Sequence, residues 1–402
     1  MQGTGGKHQR TYIPKELLKE MGKMNNHLFI GIPRERNERE RRLALTPEAV
    51  DILTDVGHRV LLETGAGQGI NYSDIQYAEA GAEIASSSVD IYHADTILKI
   101  LPPLPAEAAL LKPRATLFSM VQLDLFAPAS YETIMQKRIN AIAYELMNSE
   151  QNHFPVRTHI SEIEGTAAIT IASSILSNTQ GGKGMLLGGI PGIAPTEVVI
   201  IGAGTAGMAA ARAALGLGAA VKVFDNDIHK LRMIQQALGQ KIFTSVFQPK
   251  VLQNVFRTAD VVIGAIDNFL TRRRYMIAEE LIRTMKKGAL IIDLCVNQGG
   301  CFETTCVLTS ADPEVFEQYD VLHYCKPDIC NSVARTTSMA FSNIFVSMLL
   351  ALGDAGSFSS MIKEDACFRS GVYMFSGKPV NNFVSSHFNV NSNDLDLYLS
   401  AF

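Results

Sequence analysis

At 402 residues, with 47% apolar and 19% charged side chains, the chain is too long for one hydrophobic core and ordinarily globular in make-up. Two domains are expected. A net charge of −4 excludes a general attraction to nucleic acid or to an anionic membrane.

Residues 1–27, MQGTGGKHQRTYIPKELLKEMGKMNNH, are polar and lysine-rich and lack the apolar stretch of a secretory signal, so they read as a flexible or helical extension. The most apolar later stretch, Met339 to Leu352, is short for a bilayer and carries Asn343 and Ser347. The expectation is a soluble, cytoplasmic protein. Six cysteines are few for this length. Cys301/Cys306 and Cys325/Cys330 share a C-x4-C spacing, but no histidine pattern completes it and zinc sites use tighter pairs. Buried thiols and no metal are expected.

In chain order, a strand is predicted at LFIGIPRE (28–35). A helix follows at TPEAVDILTDVG (46–57), with Thr46 as N-cap, Pro47 at its first position and Gly57 closing it. RVLLETG (59–65), DTILKILPP (95–103), TLFSMV (116–121) and INAIAYE (139–145) continue as strands separated by helical segments. That alternation predicts a parallel sheet with helices on its faces. At Gly165 an apolar helix, GTAAITIASSILSNT, leads into the glycine-rich GGKGMLLGGIPG (181–192), and the change of composition marks a change of domain. A second βαβ series runs from TEVVIIGAGTAG to about residue 330. A long helix from about Thr337 to Gly353 and a short tail complete the chain.

The strongest local signal is VVIIGAGTAGMAAARAALGLGAAVKVFD. A strand (Val198 to Ile201) meets Gly202, Gly204 and Gly207; a helix of small residues (Met208 to Leu217) and a strand ending on Asp225 follow. Gly202 allows the tight turn, Gly204 the approach of a pyrophosphate, and Gly207 close packing of helix on strand, with the pyrophosphate on the helix N-terminus. Asp225 is placed to accept from the adenosine ribose 2′-OH and to repel a 2′-phosphate, which favours NAD over NADP. Lys230 and Arg232 nearby keep NADP open, and Lys230 is counted with the cofactor residues.

A second point of interest is DLCVNQGGCFE (293–303), a buried strand that breaks at a glycine pair just after Asn297 and Gln298. Strand ends of this kind hold the chemistry of α/β enzymes. An amide stands there where a carboxylate would serve as acid or base.

GIPRERNERERRLALTPEAVDIL, HRVLLETGAGQG, EAGAEI, GGKGMLLGGIPG, VVIIGAGTAG, VKVFD, IIDLCVNQGGCFE and VARTTSMAFSN, in that order, resemble alanine dehydrogenase and its relative, the NAD-binding domain of proton-translocating transhydrogenase. The likeness runs from about residue 28 to 375. It implies an α/β fold of two Rossmann-like doubly wound domains with the NAD cleft between them. It also implies a substrate domain over 28–155 to which 334–402 returns, an NAD domain over 156–333, and a homohexamer. The implied reaction is oxidative deamination of L-alanine, or a similar small amino acid, to the 2-oxo acid and ammonia.

Carried over by position, the resemblance makes Arg42 the guanidinium that holds the substrate carboxylate, a task its planar fork suits. The alternative for Arg42 is a solvated basic run, RERNERERR. Glu145, Ser161 and Ala265 (in GAI) fall on positions near the cofactor, although on the residues alone Glu145 and Ser161 read equally as strand-end polar groups. Three positions depart: Leu101 where the dehydrogenases have a second lysine after Lys99, Gln122 in place of their histidine, and Asn297 in place of their aspartate. The loop 267–274, with Arg272 to Arg274, and KPDICNSVARTTS also differ from the family pattern. Lys99 either reaches the substrate, sharing a strand face with Leu101, or is a lysine at a strand edge. Gln122 and Asn297 retain hydrogen bonding but not titration near neutral pH. Asp124 and Asp328 are the nearby acids, and the sequence does not show that either faces the site.

Three readings follow: an NAD-dependent amino-acid dehydrogenase, a transhydrogenase-like NAD domain, whose hydride exchange needs no acid–base group, and an NAD-binding protein with lost chemistry.

Overall fold

The computed structural model describes residues 26–149, 154–266, 277–308 and 312–400. The extension before residue 26 and the stretch 267–276, with Arg272 to Arg274, lie outside the described residues.

Two sheets organise the chain. The first holds β1 (Phe29–Ile32), β2 (Arg59–Glu63), β3 (Glu83–Ala85), β4 (Thr96–Leu98), β5 (Thr116–Ser119) and β6 (Asn140–Ala143), all parallel, in the order β3-β2-β1-β4-β5-β6. The second holds β7 (Glu197–Ile201), β8 (Ala220–Phe224), β9 (Phe243–Ser245), β10 (Val261–Gly264), β11 (Leu290–Asp293) and β13 (Val321–Tyr324) in parallel. Its order is β9-β8-β7-β10-β11-β13, with β12 (Val315–Gln318) antiparallel on the edge. The chain then returns to the first sheet, adding β14 (Val372–Phe375) and β15 (Lys378–Pro379) antiparallel beside β6.

Helices cover both sheets, which is why the strands are continuous apolar runs: Val198, Val199, Ile200 and Ile201 are all fully buried. The expected α/β, doubly wound architecture is the one observed. In each sheet the strand order reverses at the first strand, between β1 and β4 and between β7 and β10. Ligands of such sheets bind at that reversal, outside the carboxyl ends of the strands.

Three local expectations shift. The strand predicted over 95–103 is ordered as a strand only over Thr96–Leu98: Lys99 N still donates to Phe118 O (2.9 Å), but Ile100 N turns to the Glu35 carboxylate. Thr46 does sit at the N-cap of the helix Pro47–Asp55, yet its side chain makes no cap bond; its amide donates instead to Ser342 Oγ (2.8 Å). The helix expected from Gly165 starts ten residues earlier, at Pro155, and runs to Leu176. Gly165 is a packing position within it: a Cβ there would lie 2.1 Å from the Ala206 carbonyl oxygen of the crossing helix Thr205–Gly216.

The returning helix Ala334–Ala355 is apolar and long enough to cross a membrane, and it buries Phe341, Phe345, Leu349 and Leu352 in the core of the first sheet. Phe341 and Phe345 stack on each other, and Tyr144, at the end of β6, packs edge-on against Phe345 with ring centroids 4.9 Å apart. The same helix braces the loop after β1, because Ser338 and Ser342 accept from the amides of Leu43 and Thr46.

Candidate active site at the two strand-order reversals

The glycine turn after β7 has the form of a dinucleotide cradle. Gly202 has φ of 116°, and a Cβ on it would lie 2.4 Å from the Ala265 carbonyl oxygen. Ala265 is buried and donates its amide to Ile201 O (2.8 Å), so the ends of β7 and β10 lock together at the reversal. A Cβ on Gly207 would meet the Gly202 carbonyl at 2.0 Å, whereas one on Gly204 would meet nothing within 4 Å. Gly204 is the N-cap of the helix Thr205–Gly216. Open space at that one glycine, in front of a helix N-terminus, is what a pyrophosphate requires.

Asp225, half-buried at the end of β8, turns its carboxylate back to this loop: Oδ2 accepts from Ala203 N and Oδ1 from Asp227 N, both at 2.8 Å. Its remaining lone pairs suit a ribose hydroxyl. Lys230 is exposed in the first turn of the next helix, Ile228–Leu238. Ser161 is half-buried one helical turn before Gly165, on the face that packs against the glycine loop's helix. Together these residues fit a nicotinamide dinucleotide.

The other half of the cleft is built at the reversal of the first sheet. Arg42 is held bidentately, but by a residue of its own loop: Nε donates to Glu40 Oε1 (2.8 Å) and Nη2 to Glu40 Oε2 (2.6 Å). Both side chains are 1% exposed. Burial opposes the guanidinium's charge, while Glu40 and Asp328 more than restore it, leaving its pKa above the ordinary value.

Asp328, from the turn after β13, stands 3.9 Å from Arg42 Nη2 and accepts a 3.1 Å bond from Gln122 Nε2. Three segments from two sheets therefore meet in one cluster. Gln122 is half-buried and Asp328 one quarter exposed, whereas Asp124 is exposed and no bond ties it to this cluster. Burial raises the Asp328 carboxyl and Glu40 adds to this; Arg42, Gln122 and Arg39 oppose it, and the net shift is upward.

Lys99 has a different place from the one expected for a substrate group. Its ammonium, 1% exposed, lies 3.1 Å from both Glu107 carboxylate oxygens and 3.2 Å from Glu35 Oε2. Burial lowers the Lys99 pKa, but Glu35 and Glu107 outweigh it and hold the charge. Each acid also fixes the turn after β4, with Glu35 accepting from Ile100 N (2.6 Å) and Glu107 from Leu104 N (2.8 Å). The shared-face argument with Leu101 lapses because the strand ends at Leu98, and Leu101 is packed in the core.

Glu145, in the short 3-10 turn after β6, is buried, and its Oε1 accepts from Val121 N (2.6 Å) beneath the Gln122 loop. Burial drives its pKa up to about 7, against the pull of the backbone amides of Val121 and Gln122. Asn297 is exposed on the turn Val296–Gln298 beyond β11. That turn is anchored by the buried Asp293 carboxylate, which accepts from Cys295 N, Cys301 N and Thr305 Oγ1 at 2.9, 2.8 and 2.6 Å. The ligand atoms of Asp293, Cys295 and Cys301 lie within 4.8 Å of one another, a grouping that the C-x4-C spacing does not pick out. Its carboxylate is taken up by backbone and hydroxyl donors, and Cys295 Sγ donates to Ile266 O, so the cluster reads as the scaffold of the turn.

Comparison with known proteins decides the family. Residues 31–164 match the alanine dehydrogenase/PNT N-terminal domain, and residues 168–382 the C-terminal domain of the same family. The chain belongs to the alanine dehydrogenase/PNT family. It is 33% identical to alanine dehydrogenase of Mycolicibacterium smegmatis over 92% of this chain and 97% of that one. It is 34% identical to alanine dehydrogenase of Bacillus subtilis over 87% and 92% respectively. A solved L-alanine dehydrogenase superposes with a TM-score of 0.83 at 31% identity, covering 90% of this chain and 99% of that one. The transhydrogenase of Sinorhizobium meliloti shares the fold, with a TM-score of 0.74 at 21% identity over 88% and 99%. Membership places the chain among oxidoreductases that work with a nicotinamide cofactor.

Glu35, Glu40 and Glu107 carry the buried electrostatics, and sequence reasoning passed over all three. Inside RERNERERR no sequence signal sets the Glu40/Arg42 pair apart from a solvated run, since Arg36 and Glu38 share its spacing.

Proposed function

We propose that the chain is a cytoplasmic, hexameric, NAD-dependent dehydrogenase that interconverts L-alanine, or a similarly small amino acid, with its 2-oxo acid and ammonia. The observation that carries this reading is the cluster of Arg42, Gln122 and Asp328, which joins the carboxyl ends of both sheets across the cleft. Gly202, Gly204 and Gly207 with Asp225 would hold NAD, which when bound accepts the hydride released at the substrate Cα.

The chain's own groups do the rest. Glu40 uses two of the five N–H donors of Arg42. The rest of the fork is the part suited to a substrate carboxylate. Gln122 orients the substrate by hydrogen bonding. Glu145, near its titration point at neutral pH, braces the Gln122 loop from below. Lys99 in this reading is a structural cation. A positioned acid–base group is worth about 10²–10⁴-fold in rate, and in this cluster only the acids can supply one.

A second reading, an NAD-binding homologue with lost chemistry, is favoured by one observation: Leu101 is packed in the core and the neighbouring lysine is spent on Glu35 and Glu107. NADH oxidation with pyruvate and ammonium, then with a panel of other 2-oxo acids, separates the two. Turnover on a small 2-oxo acid supports the dehydrogenase. Tight NADH binding with no turnover on any acid supports the second reading.

A further inference from the structure

We propose that Asp328 recognises the amino group of the substrate and accepts its proton, a role that rests on the dehydrogenase reading above. Among the acids near the cleft, geometry singles it out. Glu40 is 1% exposed and committed to Arg42, Glu145 is buried beneath the Gln122 loop, and Asp293 ties down its own turn. Among the described residues, Asp328 alone combines a partly exposed carboxylate with direct placement at the guanidinium: its side chain is 25% exposed and Oδ1 is 3.9 Å from Arg42 Nη2.

The spacing matches the substrate. In an amino acid the carboxylate and the ammonium are attached to the same carbon. A carboxylate received on the Arg42 N–H donors that Glu40 does not use therefore leaves the ammonium close to that fork, where the Asp328 carboxylate stands. The cluster's hydrogen bonding points the same way. Glu40 takes the bidentate contact with Arg42, so Asp328, 3.9 Å from Nη2 and bonded only through Oδ1 to Gln122, keeps acceptor capacity for an incoming cation.

Both partners of the 3.1 Å bond that aims this carboxylate sit in the left-handed backbone region: Asp328 with φ 55° and ψ 55°, Gln122 with φ 27°. Non-glycine residues are held there at an energetic cost, and such positions cluster at functional sites.

The ammonium donates to Asp328, an N–H bond breaks and an O–H bond forms on the carboxyl. The lone pair so freed on nitrogen is the one that becomes the C=N bond as the Cα–H bond gives up its hydride. The groups that face Asp328 are Arg42, Glu40 and Arg39 from the loop after β1, Gln122 from the loop after β5, and Cys330 on its own turn. Burial, and then Glu40, hold its carboxyl above the ordinary range against the pull of Arg42, Gln122 and Arg39.

The test is Asp328→Asn in the full chain, assayed in both directions, with NADH binding followed by fluorescence. The KM for the amino acid should rise about 10–100-fold, the loss expected for a charged hydrogen bond, while NADH affinity is unchanged. The acid limb of the kcat/KM profile for the amino acid should disappear, and Asp328→Glu should restore part of it. An unaltered KM and pH profile overturns the assignment. So does a fall in the KM for the oxo acid, which would make Asp328 a competitor of the substrate carboxylate. Those outcomes leave the dehydrogenase reading standing, whereas a wild-type protein that binds NADH but turns over no amino or oxo acid overturns both.

Discussion

Substituting Lys99 by methionine separates the structural role seen for this lysine from the catalytic one that the sequence also allowed. The ammonium is shared between Glu35 and Glu107 at 3.1–3.2 Å, and all three side chains are buried. Lys99→Met keeps the volume and removes the charge, so two acids are left facing each other without a counter-ion. Breaking a buried ion pair by removing one partner costs about 3–5 kcal/mol. For a domain of this size that is a fall of about 6–20 °C in melting temperature. Thermal melts at neutral pH, read by near-UV circular dichroism, measure it. The double variant Lys99→Met/Glu107→Gln should recover part of the loss, because one unmatched acid has gone. A melting temperature within about 2 °C of the wild type, together with abolished turnover, would refute the argument and return Lys99 to the substrate.

Other consequences can be checked on the same material. The Glu145 carboxyl rises from its ordinary 4.5 to about 7 on folding, so the folded state favours the neutral acid. That contribution is complete below pH 4.5 and is lost as pH rises through 7, amounting to about 3 kcal/mol. Glu145→Gln should therefore gain stability relative to the wild type between pH 5 and pH 8 in urea titrations; parallel curves would disprove it. Gly204→Ala should melt like the wild type yet bind NADH more weakly, because its Cβ enters the open space of the cradle. Gly202→Ala should lose about 2 kcal/mol or more, through the 2.4 Å approach to Ala265 O and a strained φ, and equal melts for the two variants would contradict this. Asp225→Ser should narrow the preference for NAD over NADP about tenfold, and an unchanged affinity ratio would remove the ribose contact.

What the sequence displayed well was whatever depends on local pattern. Continuous apolar runs such as VVII announce strands buried on both faces. The glycine triplet with Asp225 announces the cradle, since each glycine answers a local demand of turn, approach or packing. Burial of long-range charge left no such trace. Glu40 and Arg42 lie in a run that alternates acid and base, indistinguishable from a solvated surface until Phe341 and Asp328 cover it. Asp328 and Gln122 are 206 residues apart, and only the return of β13 to the cleft brings them together. Lys99 was ambiguous because strand alternation does not extend past Leu98, where Ile100 N bonds to the Glu35 carboxylate rather than to a neighbouring strand. The start of the helix at Pro155 was hidden by its polar first turns, in which Val156 is the one fully buried residue before Gly165.

The central claim is that hydride passes between an amino-acid Cα and the nicotinamide even though Leu101, Gln122 and Asn297 carry no group that titrates near neutral pH. Incubating the protein with NAD and alanine deuterated at Cα, then weighing the reduced cofactor by mass spectrometry, tests this most directly. The account predicts cofactor carrying one deuterium, formed catalytically. Intact NADH binding with no labelled cofactor, from alanine or any other small amino acid, would contradict it.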